Sequence, residues 1–179
     1  ATGIYTLSLH DALPILEEAE ALKEAVSTIE QGQPIGDGIG PMVVGDMMRN
    51  TTKQEIAFET IYSESKFEER KLHLVKAEGP YSTVGRLGEA AKLIIEKNKP
   101  DLIIMVDAAL KLEGEESAET AQGFGAAIGG IGTERFQIEE IATKNKIPVF
   151  AIVIKQSIKE AVTLMTKEIS EKADRKSVV

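Results

Sequence analysis

The chain has no cysteine and no tryptophan, its aromatic residues amount to 4%, and histidine occurs twice. Without cysteine there can be no disulfide, no thiolate zinc site and no cysteine nucleophile. That composition fits a reducing compartment, so a soluble cytoplasmic domain is expected. Few aromatics mean an aliphatic core, and 42% hydrophobic residues are enough to build one. No apolar run approaches the roughly 20 residues that span a bilayer. Positive charge is also in deficit. The formal net charge is −8, and no basic patch interrupts it, so no nucleic-acid partner is expected.

The two ends of the chain read differently from its middle. TLSLHDALPI (Thr6 to Ile15) matches the translation of a common short-read sequencing adapter. DRKSVV (Asp174 to Val179) matches the translation of the same DNA's reverse complement. Residues 1–15 and 174–179 are therefore expected to be adapter-derived and are set aside as a tag would be. The parent protein is expected to continue beyond both ends, and its relation to a membrane stays open. His10 and Asp11 drop out as candidates, leaving His73 as the one histidine to consider. Between the ends, residues 16–31 form an N-terminal helical segment, and residues 32–173 are about the size of one domain.

LEEAEALKEAVSTIE (Leu16 to Glu30) places Leu16, Ala19, Leu22, Val26 and Ile29 at helical spacing. Glycines break the pattern from Gly32 to Gly40, and Pro41 suits the first position of a second helix through Met48. Met42, Met47 and Met48 on that helix read as core filler. Glu55 to Glu64 and Arg70 to Ala77 alternate, as strands do. His73, flanked by Leu72 and Leu74, reads as an exposed strand residue. A helix is expected over Leu87 to Lys97. Pro100 stops it, and the continuous apolar run Leu102 to Val106 predicts a strand buried on both faces. A short strand Phe124 to Ile128, a helix Thr133 to Asn145, a buried strand Ile147 to Ile154 and a closing helix Ser157 to Glu171 complete the reading. Strands alternating with helices predict an α/β fold of three layers around a largely parallel sheet, flanked by helices.

Ligands of such sheets collect at the carboxyl ends of strands, near helix N-termini. Asp107 is expected at that end of the strand with the longest apolar run, where a carboxylate is costly without a partner or a purpose. Either it serves a site, or it caps a helix and binds loop amides. Asp37, in PIGDGIGP, precedes a helix, and Gly38 and Gly40 let the backbone come close to a ligand. Its alternative is an N-cap in a glycine turn. If the two acids meet, repulsion raises one pKa and leaves the other ionised. One could then activate water while the other supplies a proton, or both could hold a metal. No metal site beyond that pair is indicated, and no cofactor can be named. Lys111, Glu113 and Glu115 either line the same cleft or form a solvated loop. The loop Glu78 to Arg86, with Gly79 and Thr83, ends at a helix N-terminus and could hold an anion. A dehydrogenase reading of GDGIGP is set aside, because its companion motifs are missing.

The order GDGIGPMVV, EGPYSTVG, KPDLIIMVDAAL, GIGTERF and IPVFAIVIKQSIKEAVTLM resembles the spore germination proteases, from about Pro34 to Met165. The first and third elements also resemble the hydrogenase maturation endopeptidases. KAEGPYSTVG, VDAALKLEGE and GFGAAIGG look like the archaeal family called domain of unknown function 1512. Its longer members, as the resemblance implies, carry a membrane segment upstream, which would leave this domain on the cytoplasmic side.

The resemblance implies a phosphorylase/hydrolase-like fold and places the two acidic active-site positions on Asp37 and Asp107. It implies an endopeptidase, aspartate-dependent or metal-assisted, with a peptide or protein as substrate, if activity is kept. The alternative is a silent domain that binds a ligand or partner. The chain departs from the peptidases at three points. No histidine stands between Gly123 and Phe136, where nickel recognition would need one. Thr133, Glu134 and Arg135 replace the arginine-bearing loop. A helix and QGQPI precede the acid turn instead of a strand.

Overall fold

The computed structural model describes residues 9–79, 84–125 and 133–173. Helix α1 spans Leu9–Glu30, so it extends back into the segment read as adapter-derived. Its packed side is not the expected stripe. Ala21, Ala25 and Thr28 are buried, while Leu16, Leu22 and Val26 are each more than half exposed. Small residues let the helix lie close to the body, and the larger ones are left on the far side.

A 3₁₀ turn, Gly36–Gly38, leads directly into α2, Ile39–Met47. Pro41 thus sits third in the helix, still within the first turn, where its missing N–H costs nothing. Met48, just past the helix, is wholly buried and Met42 packs against the core, as filler should.

Three strands follow: β1 Lys53–Ala57, β2 Thr60–Phe67 and β3 Arg70–Ala77. The single strand expected over Glu55 to Glu64 is a hairpin. It turns at Phe58–Glu59, with Glu59 at φ 51°. No glycine, proline or asparagine marks that turn, and the alternation runs on through it. The strands form one sheet in the order β1-β2-β3, antiparallel throughout.

Helix α3, Leu87–Asn98, leads to β4, Ile103–Leu110, then β5, Thr120–Phe124, α4, Thr133–Lys144, and β6, Val149–Gln156. The second sheet runs β4-β6-β5, with β4 parallel and β5 antiparallel to β6. The expected strand Phe124 to Ile128 lies earlier, with residues 126–128 outside the described residues.

One parallel pair among the described strands does not make a largely parallel three-layer sheet. The fold is mixed α/β with two small, mostly antiparallel sheets. The apolar runs of β4 and β6 do pair in parallel, but the upstream alternating segments close on one another as hairpins. Among the described strands β4 lies at the sheet's edge, and it is not buried on both faces: Ile104 is 58% exposed.

The closing helix is two short ones, α5 Ile158–Val162 and α6 Lys167–Glu171. Ser157 and Glu160 form a capping box on α5, and Thr166 accepts from Ile169 N–H to cap α6. The break between them is used. Gly36 N–H donates to Thr163 O (3.2 Å), Met165 N–H donates to Pro34 O (2.9 Å), and Ile35 bridges Leu164. This bridge stands where the resemblance expects a strand ahead of the acid turn.

Alternation along β4 sends its residues to two cores. Val106 and Ala108 pack with Ile39, Val43, Ile154, Met165 and Ile169, whereas Ile103 and Met105 pack with Leu87, Ala91, Ile138 and Val149.

Candidate acid-turn site

Neither end of the turn Gly36–Gly38 has a side-chain cap, so what it rests on fixes its place. At Gly36 an added Cβ would strike the Glu160 carbonyl and Gln156 Oε1. At Gly40 it would strike the Val106 carbonyl and come within 3.5 Å of Asp107 Cα. These two glycines are spent on contact with the protein's own backbone. The closeness expected to serve a ligand at Gly40 serves β4 instead. Gly38 faces open space, with nothing within 4 Å of an added Cβ.

Asp37 is exposed. Burial nonetheless raises its pKa above the usual carboxylate value, because the surrounding protein displaces water from the carboxyl. Burial, rather than repulsion from a second acid, is the cause. Asp37 is also not an N-cap: its side chain makes no cap hydrogen bond, and the N-cap of α2 is Gly38.

Asp107 sits mid-strand, opposite Val153 in the parallel register, and not at the strand's carboxyl end. Its Oδ1 accepts the N–H of Ala108 at 2.8 Å. Strand alternation puts Asp107 on the face of Ile103 and Met105, while the helix after Asp37 packs on the Val106 and Ala108 face. The two acids therefore approach the edge of β4 from opposite faces, and Gly40 lies against the backbone between them.

The other candidates are dispersed. Lys111 Nζ donates to the Glu115 carbonyl at 3.2 Å, and Glu115 pairs with Lys155 at 2.6 Å. Lys111 helps to lower the pKa of Glu115 and Glu160. Glu113 is exposed on the same loop. Gly79 adopts φ +60° with open space around it, and Thr83 lies outside the described residues. The helix N-terminus expected to receive an anion, that of α3, receives the protein's own carboxylate. Glu134 Oε2 accepts Gly88 N–H at 2.6 Å. Arg135 pairs with Glu139 on the outer surface of α4. Among the described residues no cluster of three or more acids or histidines could hold a metal.

Three features went unread in the sequence. One is Glu134. The second is Gln156, wholly buried with no hydrogen-bond partner for its carboxamide among the described residues. The third centres on His73, which is not exposed: only 12% of its side chain is accessible, and its ring stacks on Tyr62. Tyr62 O–H donates to Glu64 at 2.7 Å, which leaves His73 Nδ1 as the donor to the Tyr62 hydroxyl oxygen at 2.8 Å. Burial, aided by Lys71, lowers the His73 pKa. An open groove of about 860 Å³ beside Tyr62 and Glu64, and another of about 620 Å³ beside Met42 and Asp46, are lined by neither Asp37 nor Asp107. The acid turn therefore lies outside both grooves, and its place is fixed by the contacts at Gly36 and Gly40.

A family model described as Domain of unknown function (DUF1512) C-terminal matches residues 35–179. Germination proteases from three Clostridium perfringens strains are each 28% identical to this chain over 181 residues, covering 96% of it. The match takes in 53% of each relative, so the chain spans about half the length of the curated relatives it matches. No helix among the described residues is long and apolar enough to cross a membrane.

Proposed function

Because the chain belongs to the DUF1512 C-terminal domain family, we propose that it is a peptidase-like domain in which Asp37 and Asp107 hydrolyse a peptide bond at the edge of β4. The observation that carries this reading is the seating of the acid turn. Gly40 lies against the Val106 carbonyl and Asp107 Cα, which brings the turn of Asp37 to the strand of Asp107. Support also comes from the similarity to germination proteases along nearly the whole chain. Asp37, with its raised pKa, is the acid that shuttles the proton. Asp107, whose Oδ1 accepts the Ala108 amide, orients the attacking water, or a cation that carries it.

A second reading is a domain without catalysis that binds a ligand or partner, and strand alternation favours it: Asp107 shares the face of Ile103 and Met105, whereas the helix after Asp37 packs on the Val106 and Ala108 face. One experiment separates the two. The chain and its Asp37→Asn variant are incubated with an unfolded protein, with and without a chelator, and new peptide termini are sought by mass spectrometry. Hydrolysis requires termini from the parent and none from the variant. Equal output from both chains ends the catalytic reading.

A further inference from the structure

We propose that Gln156 is a positioning residue for Asp37, holding the acid turn in place from beneath. Gln156 ends β6 and is 0% exposed. Its carboxamide lies under Gly36, the residue before Asp37, with Oε1 2.5 Å from where a Cβ would stand. The turn has no side-chain cap at either end. Its support on this side is therefore the Gln156 side chain and the Glu160 carbonyl, with the Gly36 N–H to Thr163 O hydrogen bond beside them. On the other side it is the Val106 carbonyl beneath Gly40. Of these contacts, only Gln156 acts through a side chain and can be removed by substitution.

The carboxamide is an unusual choice for that place. Neither Nε2 nor Oε1 finds a hydrogen-bond partner among the described residues, and a buried amide without partners costs stability. Methionine would fill nearly the same volume without that cost. If support of the turn is what matters, volume at position 156 is needed and polarity is not. The inference rests on the proposed function only for its consequence in catalysis; the placement of Asp37 stands without it. The charged groups on elements packed against the turn are, among the described residues, Asp107 on β4, Lys155 on β6, Lys159 and Glu160 on α5, and Asp46 on α2. Glu160 is a useful internal reference. Burial pushes its pKa up, but hydrogen bonds from Ser157 and Ser117 outweigh that and hold it below the usual value.

The test follows the carboxyl carbon of Asp37 by NMR titration, and the amide signals of residues 36–38, in the parent, Gln156→Ala and Gln156→Met. Loss of the support should admit water. In Gln156→Ala the Asp37 midpoint is expected to fall toward the ordinary carboxylate value, and the three amide signals to shift. Gln156→Met should keep both as in the parent while unfolding at higher urea. Should the alanine chain not fold, Gln156→Asn, one methylene shorter, takes its place with the same expectations. A purely structural role would change stability and leave the Asp37 midpoint alone. An unmoved midpoint in the shortened variant overturns the proposal, and so does a methionine chain that behaves like alanine. Peptide cleavage is not a readout here, so a chain that hydrolyses nothing can still pass, and an active one can still fail.

Discussion

The two three-stranded sheets are built on different plans. In β1-β2-β3, neighbours in sequence are neighbours in space, joined by two-residue turns at Phe58–Glu59 and Glu68–Glu69. In β4-β6-β5, the central strand comes last, and the parallel pair β4–β6 forms only after the chain has passed through β5 and α4. The first sheet carries a polar chain of its own, from His73 through Tyr62 to Glu64. The second lends its edge strand to another element, the acid turn, through Gly40. Local pairing yields a self-contained sheet, whereas the non-local one offers an edge on which a candidate site can be assembled.

The comparison is broken most severely at Gly40. Gly40→Val drives a branched side chain into the Val106 carbonyl, and a loss on the order of 3 kcal/mol is expected. Gly38→Ala meets open space and should stay within about 0.5 kcal/mol of the parent. Urea midpoints of the two variants check both statements, and equal losses would mean that the seat on β4 is not formed. Next comes the hairpin sheet's own tie to the rest of the chain. Thr60 is wholly buried, donates to Phe58 O and accepts Arg86 N–H at 2.7 Å. Thr60→Val leaves both groups unpaired and should cost about 1–3 kcal/mol, again read from the urea midpoint.

The hairpin sheet and the acid turn seated on the second sheet should also answer pH in opposite senses. Burial lowers the His73 pKa from 6.5, so the folded state disfavours the charged ring. Its contribution is fully present above pH 6.5 and is lost as pH falls toward the lowered folded value. His73→Asn should flatten that part of the stability profile, as measured by urea unfolding at pH 7.5 and 5.5. Asp37 is the smallest effect and has the reverse sign. Its pKa is raised from 3.8, so the charged carboxylate weakens the fold above the folded pKa, and the penalty vanishes below about pH 3.8. Asp37→Asn should therefore be slightly more stable than the parent at pH 7 and equal to it at pH 3.5.

What the sequence made legible follows the same division. β3 was read with both bounds as found, because its alternation is bracketed by charged turns. Helices α3 and α4 and strand β6 were read to within about two residues, the usual slack at element ends. The first hairpin was missed because Phe58–Glu59 carries none of the residues that mark turns. A largely parallel sheet does not follow from the apolar runs, because such runs report burial and not the direction of a partner strand. At the candidate site, the GDGIG turn was legible as a glycine-rich lead into a helix. That Gly36 and Gly40 are needed for internal contact, and that Gln156 lies beneath, depends on residues more than sixty positions away. No local pattern carries such information. The faces of β4 were within reach: alternation from Ile103 already separates Asp107 from Val106 and Ala108.

The central claim is that Asp37 and Asp107 serve one reaction across the edge of β4. It is tested most directly by the rate of peptide hydrolysis in Asp37→Asn, Asp107→Asn and the double variant. Residues that act as a unit lose nearly as much singly as together, so the three rates should fall to a similar level. A parent-like rate in Asp107→Asn, or losses that multiply in the double variant, would contradict it.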